Sequence, residues 1–157
     1  MFTPIQGDLK AGAFKYALVA SRFNDVITRR LVDGAIDCLT RHGAAEEQID
    51  VLYCPGAFEL PIVSRKLVDS HKYDAIICLG AVIRGSTPHF DYIASEVTKG
   101  IANLSMESRV PIAFGVLTTD STEQALERAG LKHGNKGWEA ALTVMELLNL
   151  FAAIDAE

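Results

Sequence analysis

The sequence lacks the clustered cysteines and histidines that hold structural zinc or build a disulfide framework. Its three cysteines, Cys38, Cys54 and Cys78, lie far apart and form no CxxC pair. Free cysteines are among the residue types most often buried, so we expect all three to be small core residues. The pattern predicts neither a metal site nor a disulfide network.

Long apolar runs and an excess of basic residues are also missing. No stretch of about 18 apolar residues occurs, and the first twenty residues lack the basic start and apolar run of a secretory signal. The net charge of -5 offers no general attraction for nucleic acid. We therefore expect a cytoplasmic protein that binds neither membranes nor nucleic acids, in which an anionic ligand needs a local basic site.

Three widespread motifs are absent as well. The sequence has no GxxxxGK[ST] phosphate loop, no GxGxxG after its first predicted strand and no GxSxG nucleophile elbow. These absences disfavour nucleotide hydrolysis, dinucleotide redox chemistry and serine hydrolysis.

What the sequence does contain is an alternation of short apolar segments and helical patterns. Strands are predicted at YALVAS (16–21), IDVLYC (49–54), AIICLGAVI (75–83) and IAFGVL (112–117). A helix follows each strand, and a final helix is predicted over about residues 136–153. Because 157 residues suit one domain, this order predicts a single parallel sheet with helices on both faces.

Two of these helices carry specific expectations. The second begins near residue 59 and should bury Ile62, Leu67 and Val68. The short fourth helix should begin at a capping box of Ser121 and Gln124 and end at about residue 130.

Residues 1–14 stand outside this alternation and show little periodicity. We expect them to form an N-terminal arm, and residues 15–157 to form the domain. Such an arm either stays mobile or pairs elsewhere.

The loops that follow the predicted strands carry the most distinctive side chains. In an open parallel sheet, ligands bind beyond the carboxyl ends of the strands, so these loops should converge on one edge. They read RFN (22–24), PGAFE (55–59), RGSTPH (84–89) and TTD (118–120). Aromatic, acidic, amide, hydroxyl and imidazole groups would meet there, which predicts a ligand site.

The RGSTPH loop predicts an anion site. Gly85 lets the backbone approach a ligand, and Ser86 and Thr87 add hydroxyl groups beside a helix N-terminus. The same residues also suit a simple turn and cap, so both interpretations stay open. Arg128 on the short helix could supply a cation, although a solvated surface charge is the commoner role of such an arginine.

The other candidate residues also have two interpretations each. His89 could accept and return protons, or it is merely the first residue of a helix. Phe23 and Phe58 are either core aromatics or surfaces on which a planar ligand stacks. Glu59 either favours the helix dipole or accepts hydrogen bonds from a polyhydroxylated ligand.

Taken together, the loops resemble those of one family. RFN, PGAFELP, GAVIRGSTPHFDY, FGVLTTD, EQALERAG and HGNKGWEAA occur in the order seen in lumazine synthases. The resemblance spans about residues 16–150, and GAVIRG with PHFDY is its most specific part. It implies a single-domain, flavodoxin-like three-layer α/β/α sandwich with a four-stranded parallel sheet.

The resemblance also implies an activity. Lumazine synthases are transferases that condense 5-amino-6-(D-ribitylamino)uracil with 3,4-dihydroxy-2-butanone 4-phosphate. The products are 6,7-dimethyl-8-ribityllumazine, phosphate and water, in the penultimate step of riboflavin biosynthesis. The substrate's own amine attacks the ketone, so no cofactor and no protein nucleophile is needed. The protein supplies positioning, proton transfer and anion stabilisation.

Residue roles follow from the same resemblance. His89 and Arg128 would be the catalytic residues, with His89 shuttling protons. Arg128 would hold the phosphate together with three loop residues, Gly85, Ser86 and Thr87.

The pyrimidine and its ribityl chain would lie in a pocket behind Phe23, which stacks on the ring. The remaining residues of that pocket would be Asn24, Ala57, Phe58, Glu59, Ala81, Val82 and Ile83, the last three contacting the pyrimidine through their backbone. Phe114 would reach the pocket of a neighbouring subunit.

The resemblance further implies an assembly. Family members form pentamers, and many pack twelve pentamers into a hollow icosahedral shell. The uninserted AGLKHGNKGWEAA segment resembles the shell-forming kind, which implies a 60-subunit homo-oligomer with active sites between subunits. The N-terminal arm would then add a strand to a neighbour's sheet, and riboflavin synthase is a candidate partner.

Two competing interpretations share these features. A flavin- or lumazine-binding module without catalysis would use the same stacking loops, but the pairing of His89 with Arg128 argues against it. A flavodoxin-like electron carrier would share the fold, but the first loop lacks the hydroxyl-rich phosphate cradle that such a carrier needs.

Overall fold

The strands and helices begin close to where the sequence patterns predict them. The computed structural model describes residues 2–132 and 134–156, and in these residues four strands alternate with five helices. They are β1 (Tyr16–Ser21), α1 (Asp25–Arg41), β2 (Ile49–Cys54), α2 (Leu60–Ser70), β3 (Ala75–Ile83), α3 (His89–Glu107), β4 (Ile112–Thr119), α4 (Thr122–Glu127) and α5 (Lys136–Asp155). Three residues lie outside the described part of the chain. They are Met1, the first residue of the predicted arm, Glu157, the last residue of the predicted domain, and His133 of the HGNKGWEAA block.

The four strands form one parallel sheet in the order β2-β1-β3-β4. With helices on both faces, this order gives the predicted flavodoxin-like α/β/α sandwich. The AIICLGAVI segment is β3, and it is buried from Ala75 to Val82. It is apolar almost throughout because it lies between β1 and β4 with helices covering both of its faces.

The sheet separates two hydrophobic cores. Side chains alternate along β1, so that Leu18 and Ala20 enter one core and Ala17 and Val19 enter the other. The first core lies beneath α1 and α5, and the second lies beneath α2 and α3. We call these two sides of the sheet the α1/α5 face and the α2/α3 face.

The buried side of α2 differs from the prediction. The helix buries Leu60, Ser64 and Leu67, with Val68 partly buried. Ile62 is 71% exposed, so the prediction that it lies on the apolar side is wrong. Residues three and four positions apart share one side of a helix, and Ile62 lies two positions from both Leu60 and Ser64. Ser64 occupies the buried position because its hydroxyl contacts the Cys78 sulfur at 3.2 Å.

The start of α4 is capped as predicted. The Ser121 hydroxyl accepts a hydrogen bond from the Gln124 N–H at 3.1 Å. The Gln124 carboxamide accepts from the Asp120 N–H at 2.8 Å, one residue earlier than in a regular capping box. The helix ends at Glu127, before the predicted end, and the chain then turns through Gly130 with a φ of 104°.

The final helix, α5, is apolar over most of its length. By length and composition alone it could cross a membrane. Its buried residues are Gly137, Ala140, Ala141, Val144, Met145 and Leu148. They pack in the core of the α1/α5 face, whereas Phe151 and Ile154 near the end of the helix are 40% and 53% exposed. The core therefore accounts for the apolar residues on one side of α5 only.

The N-terminal arm has two different halves. The second half is docked on α5 of the same chain, because a Cβ on Gly7 would overlap the α5 backbone and the Asn149 carboxamide donates to the Lys10 carbonyl at 2.9 Å. The first half exposes large apolar side chains, with Phe2 and Ile5 at 85% and 54% exposure.

Candidate functional site

A cavity of about 430 Å³ opens at the carboxyl edge of the sheet, beside the start of α3. Nine of the residues predicted to bind or catalyse line it, namely Phe23, Asn24, Ala57, Phe58, Glu59, Ala81, Val82, Ile83 and His89. Gly56, Phe90 and Ile93 complete the lining. We call this cavity the aromatic pocket. Three of the four strand-terminal loops therefore meet at one cavity, whereas Thr118, Thr119 and Asp120 of the fourth loop do not line it.

Phe23 and Phe58 lie at the rim of the aromatic pocket rather than in a core. They are 71% and 55% exposed, whereas a core phenylalanine is buried. Exposed aromatic faces beside an apolar cavity suit a planar ligand that stacks on them. Of the two interpretations of these residues, the structure favours the stacking surface.

The end of β3 offers backbone hydrogen-bonding groups to the aromatic pocket because β3 extends beyond β1. The pairing between β1 and β3 ends at Ala20 and Leu79, whereas β4 accompanies β3 as far as Ile83. Past Leu79, the side of β3 that faced β1 therefore has no neighbouring strand.

Alternation along β3 decides which backbone groups point to that open side. Successive residues of a strand turn their backbone groups to opposite neighbours. The Arg84 N–H turns to β4 and bonds the Thr119 carbonyl at 2.9 Å. By alternation, Ala81 and Ile83 turn their backbone groups to the open side. Val82 turns its backbone to β4 and lines the aromatic pocket with its side chain.

Asn24 ties the first loop to the end of β3. Its backbone is left-handed, with φ 62° and ψ 48°, a conformation that asparagine adopts more readily than most residues. Its side-chain Nδ2 donates to the Ala81 carbonyl at 2.9 Å. Its own carbonyl accepts hydrogen bonds from the N–H groups of Ile27 and Thr28, which lie in the first turn of α1. One residue thus starts α1 and holds two walls of the aromatic pocket together.

The predicted anion loop lies at the rim, next to His89. The Thr87 hydroxyl lies 3.5 Å from the His89 N–H, at the outer limit of a hydrogen bond, and no side chain caps the start of α3. A Cβ on Gly85 would meet no atom of the described residues within 4 Å, so the space beside the loop is open to a ligand. The loop therefore offers an unobstructed approach, and the helix-cap interpretation gains no support.

Sequence reasoning missed Arg84, which braces this rim. Its guanidinium lies 4.4 Å from the centroid of the Phe90 ring and forms ion pairs with Asp120 at 2.8 Å and Asp91 at 3.4 Å. The hydrogen bond to Asp120 raises the pKa of Arg84 above its ordinary value. The available signal was Asp91 in PHFDY, seven residues after the arginine.

Arg128 lines a different cavity, of about 330 Å³, which we call the cation pocket. Its lining residues are Leu117, Arg128, Lys136 and Glu139. Leu117 belongs to the core of the α1/α5 face, whereas Phe90 beside His89 packs against the core of the α2/α3 face. Within one chain, therefore, Arg128 and His89 do not line the same cavity.

Lys136 and Phe114 both lie outside the lining of the aromatic pocket. Lys136 is a second cation beside Arg128, missed by sequence reasoning although it stands in the HGNKGWEAA block. Phe114 is partly buried in the middle of β4, opposite Cys78, and does not line the aromatic pocket of its own chain.

Comparison with known proteins decides the family. The family model of 6,7-dimethyl-8-ribityllumazine synthase matches residues 13–152. The chain belongs to the 6,7-dimethyl-8-ribityllumazine synthase family. Proteins of that name from Chlorobium chlorochromatii (strain CaD3) and Chlorobaculum tepidum are 61% and 60% identical over 147 residues, covering 94% of this chain and 95% of each relative. One from Clostridium kluyveri is 55% identical over 150 residues, covering 96% of this chain and 97% of the relative.

Membership of the lumazine synthase family makes this chain an enzyme of riboflavin biosynthesis, as the six sequence blocks predict. The alternative of a non-catalytic flavin- or lumazine-binding module is not supported. Membership of the lumazine synthase family likewise leaves no support for the interpretation as an electron carrier.

The cysteines of this lumazine synthase chain are unsuited to nucleophilic catalysis. All three are buried, as predicted. Burial raises the pKa of Cys78 to about 12 and that of Cys38 to about 11, so both thiols stay protonated and unreactive. Within residues 2–132 and 134–156, no group of three or more His, Cys, Asp or Glu side chains is placed to hold a metal ion. The acid-base side chains that line the aromatic pocket are those of Glu59 and His89.

Proposed function

We propose that the aromatic pocket binds 5-amino-6-(D-ribitylamino)uracil and that the bound amine condenses there with 3,4-dihydroxy-2-butanone 4-phosphate. The products are 6,7-dimethyl-8-ribityllumazine, phosphate and water. The convergence of nine predicted residues on one cavity of about 430 Å³ carries this proposal. A cavity of that size suits one small organic ligand.

The pyrimidine ring stacks on Phe23, and its polar edge bonds the open side of β3. The backbone of Ile83 and the remaining lone pair of the Ala81 carbonyl face that side, since Asn24 already uses one lone pair. The side chain of Val82 packs on the ring. A ring held by stacking and backbone groups is oriented without a charged partner.

The ribityl chain lies along the segment before α2. Glu59 is half-buried at the N-terminus of α2 and accepts hydrogen bonds from the ribityl hydroxyl groups. Ala57 and Phe58 supply the apolar wall behind the chain.

His89 exchanges the protons of the condensation. The substrate amine attacks the ketone carbon, and its proton is carried to the departing oxygen as water leaves. A proton is then lost from carbon as the phosphate leaves, and ring closure by the second nitrogen releases a further water. His89 is exposed at the mouth of the aromatic pocket, where an imidazole reaches these atoms.

The phosphate is held by Gly85, Ser86 and Thr87 of one subunit and by Arg128 of a neighbour. The position of Arg128 in the cation pocket of its own chain supports a contribution across a subunit boundary. Phe114 reaches a neighbour's aromatic pocket in the same way, since it is remote from the pocket of its own chain. Complete active sites therefore form only between subunits of a homo-oligomer, a pentamer or a 60-subunit shell.

The exposed half of the arm joins this assembly by adding a strand to a neighbour's sheet. β2 is an edge strand, and an apolar groove lined by Ile36, Ile49 and Val51 adjoins it. Phe2 and Ile5 are the apolar side chains that such a groove would cover. The cytoplasmic location and riboflavin synthase as a partner stay predictions from the sequence.

The direct test mixes both substrates with the purified protein and follows the absorbance of the lumazine product. We expect turnover well above a buffer control at saturating substrate. A heat-denatured sample controls for the spontaneous reaction. Tight pyrimidine binding with a rate equal to the buffer control would contradict the proposed activity.

A further inference from the structure

Asn135 uses every hydrogen-bonding position of its side chain. Its Oδ1 accepts from the N–H groups of Gly137 at 2.8 Å and Trp138 at 3.1 Å, which caps α5. Its Nδ2 donates to the Arg30 carbonyl at 2.9 Å and to the Ala129 carbonyl at 3.2 Å. A carboxamide offers two acceptor and two donor positions, and here all four are filled.

These bonds close the loop that carries the two cations of the cation pocket. The Lys136 N–H donates to the Arg128 carbonyl at 2.9 Å, so the two cationic residues are directly joined through their backbones. An antiparallel bridge pairs Ala129 with Asn135, and the Asn135 side chain adds its own bond to the same Ala129. Asn135 thus holds together the two ends of the loop, Ala129 and Asn135, next to the two cationic residues.

A third element, α1, anchors the loop through the same side chain. The Arg30 carbonyl lies within α1, and Gly34 follows one turn later. A Cβ on Gly34 would overlap the Asn135 carboxamide, so the approach depends on the bare backbone of that glycine. The cation pocket is thereby held at a set place on the α1/α5 face.

Capping alone does not explain an asparagine at this position. Ser121 caps α4 with one hydroxyl acceptor, and serine, threonine or aspartate could accept the same bonds at the start of α5. Only asparagine, with its size and its two donors, also reaches Arg30 and Ala129. The two donor bonds therefore point to a role beyond the helix terminus.

We propose that Asn135 is a positioning residue for anion binding, setting the spacing and orientation of Arg128 and Lys136 without touching the substrate. This inference rests on the proposed phosphate role of Arg128. It makes the affinity for the sugar phosphate depend on a residue outside the lining of the cation pocket. Asn135 does not line the aromatic pocket, so binding of the pyrimidine should depend on it much less than binding of the sugar phosphate does.

The test is Asn135→Ser. It keeps a neutral oxygen that can cap α5 and removes the two carboxamide N–H donors that bond Arg30 and Ala129. Because a misplaced cation loses most of a charge-assisted bond, we expect the KM for the sugar phosphate to rise about tenfold. The inhibition constant of inorganic phosphate should rise in parallel, while the KM for the pyrimidine stays within about twofold. The parallel change would separate positioning of the anion site from a general loss of structure.

Asn149→Ser is the matched control. Asn149 is also on α5 and also donates two bonds, to Lys10 and Met145, but it lies far along the helix from both cations. It should leave both KM values and phosphate inhibition unchanged.

Gly34→Ala provides a second perturbation in case Asn135→Ser folds poorly. It pushes the carboxamide away from α1 without substituting any residue that lines the cation pocket. The same selective rise for sugar phosphate and inorganic phosphate is expected.

Two outcomes would overturn the inference. Either both variants leave phosphate inhibition unchanged in an intact assembly, or both raise the two KM values equally, as general loosening would. Arg128→Ala distinguishes the inference from the proposed function. If Arg128→Ala weakens the sugar phosphate but Asn135→Ser and Gly34→Ala do not, only the inference fails. If Arg128→Ala has no effect, the proposed phosphate role fails and the inference with it.

Discussion

The aromatic pocket and the cation pocket are built by different means. The aromatic pocket is formed directly by strand ends, on the side of β3 that β1 leaves open, and its rim carries Phe23 and Phe58. The cation pocket is formed by the loop between α4 and α5, which Asn135 closes. The aromatic pocket therefore offers stacking surfaces and backbone groups, and the cation pocket offers two cations beside the Glu139 carboxylate. In the proposed function these cavities are two half-sites with complementary chemistry.

The two pockets also differ in the cores that they adjoin. The aromatic pocket takes lining residues from both cores, with Ala81 on the α1/α5 face and Val82 on the α2/α3 face, whereas Leu117 of the cation pocket belongs to the α1/α5 face. A substrate pair with one planar ring and one phosphate needs both sets of groups. The proposed assembly, in which one chain's aromatic pocket meets its neighbour's cation pocket, would supply both.

The largest expected effect tests the chemistry assigned to the aromatic pocket. His89→Ala should lower kcat about 100-fold, the typical contribution of one acid-base group. Residual activity should remain, because the substrate amine is itself nucleophilic. Steady-state kinetics with both substrates saturating measures the change. Complete loss of activity in a correctly assembled variant would contradict a role limited to proton transfer.

A somewhat smaller effect tests the cation pocket. Arg128→Ala should raise the KM for the sugar phosphate about 30-fold, because a charge-assisted bond to the phosphate is lost. The KM for the pyrimidine should hardly change. Independent titration of each substrate separates the two, and a rise confined to the pyrimidine would place Arg128 in the wrong half of the site.

Mixing these two variants tests whether the half-sites meet between chains. In a random mixed assembly, about a quarter of the interfaces pair an intact His89 with an intact Arg128 of the neighbour. Co-refolded mixtures should therefore regain about a quarter of the wild-type activity, compared with separately refolded variants as the control. A mixture no more active than the mean of its parents would show that both residues act within one chain.

The smallest effect concerns the opposite edge of the sheet, away from both pockets. The Tyr73 hydroxyl donates to Asp50 at 2.7 Å and Lys15 lies 3.4 Å from it, and together they hold the pKa of Asp50 below its ordinary value. This interaction stabilises the fold above the ordinary pKa of an aspartate and is lost as the pH falls through the lowered value.

Asp50→Asn should therefore lower the free energy of unfolding at pH 7 by at most about 1 kcal/mol, since the pair is largely exposed. The difference should shrink as the pH falls below the ordinary pKa of an aspartate and disappear in acid once Asp50 is protonated in the folded protein. Denaturant titration at both pH values measures it, and both KM values should be unchanged. A difference that persisted in acid would have another cause than this ion pair.

Local patterns predicted most of the fold because the periodicity of apolar residues reports how each segment is buried. The run AIICLGAVI predicted a central strand, and Ser121 predicted the start of α4. Ile62 shows where local patterns fail. Its side chain is apolar enough for a core, but the side of α2 that is buried carries Ser64, whose hydroxyl contacts the Cys78 sulfur of β3.

The candidate site was predictable to the extent that it is made of strand ends. Nine predicted residues line one cavity because parallel strands bring their carboxyl ends to one edge. Arg84 and Lys136 were missed because the contacts that single them out, an ion pair across the sheet edge and a shared cavity, appear only when the chain is folded. Arg84 lies over Phe90 and pairs with Asp120, and Lys136 shares a cavity with Arg128.

The sequence by itself determined the order of strands and helices, the chemical groups in the loops and, through its six blocks, the family. Only the tertiary structure decided that His89 and Arg128 belong to different pockets and that Asn135 joins α1, α5 and the loop between the cations. The physical reason is that local periodicity tells which side of a segment is buried but not which face of the sheet covers it. That choice depends on the crossover of each helix, and it places the two predicted catalytic residues in different cavities although they stand only 39 positions apart in the chain.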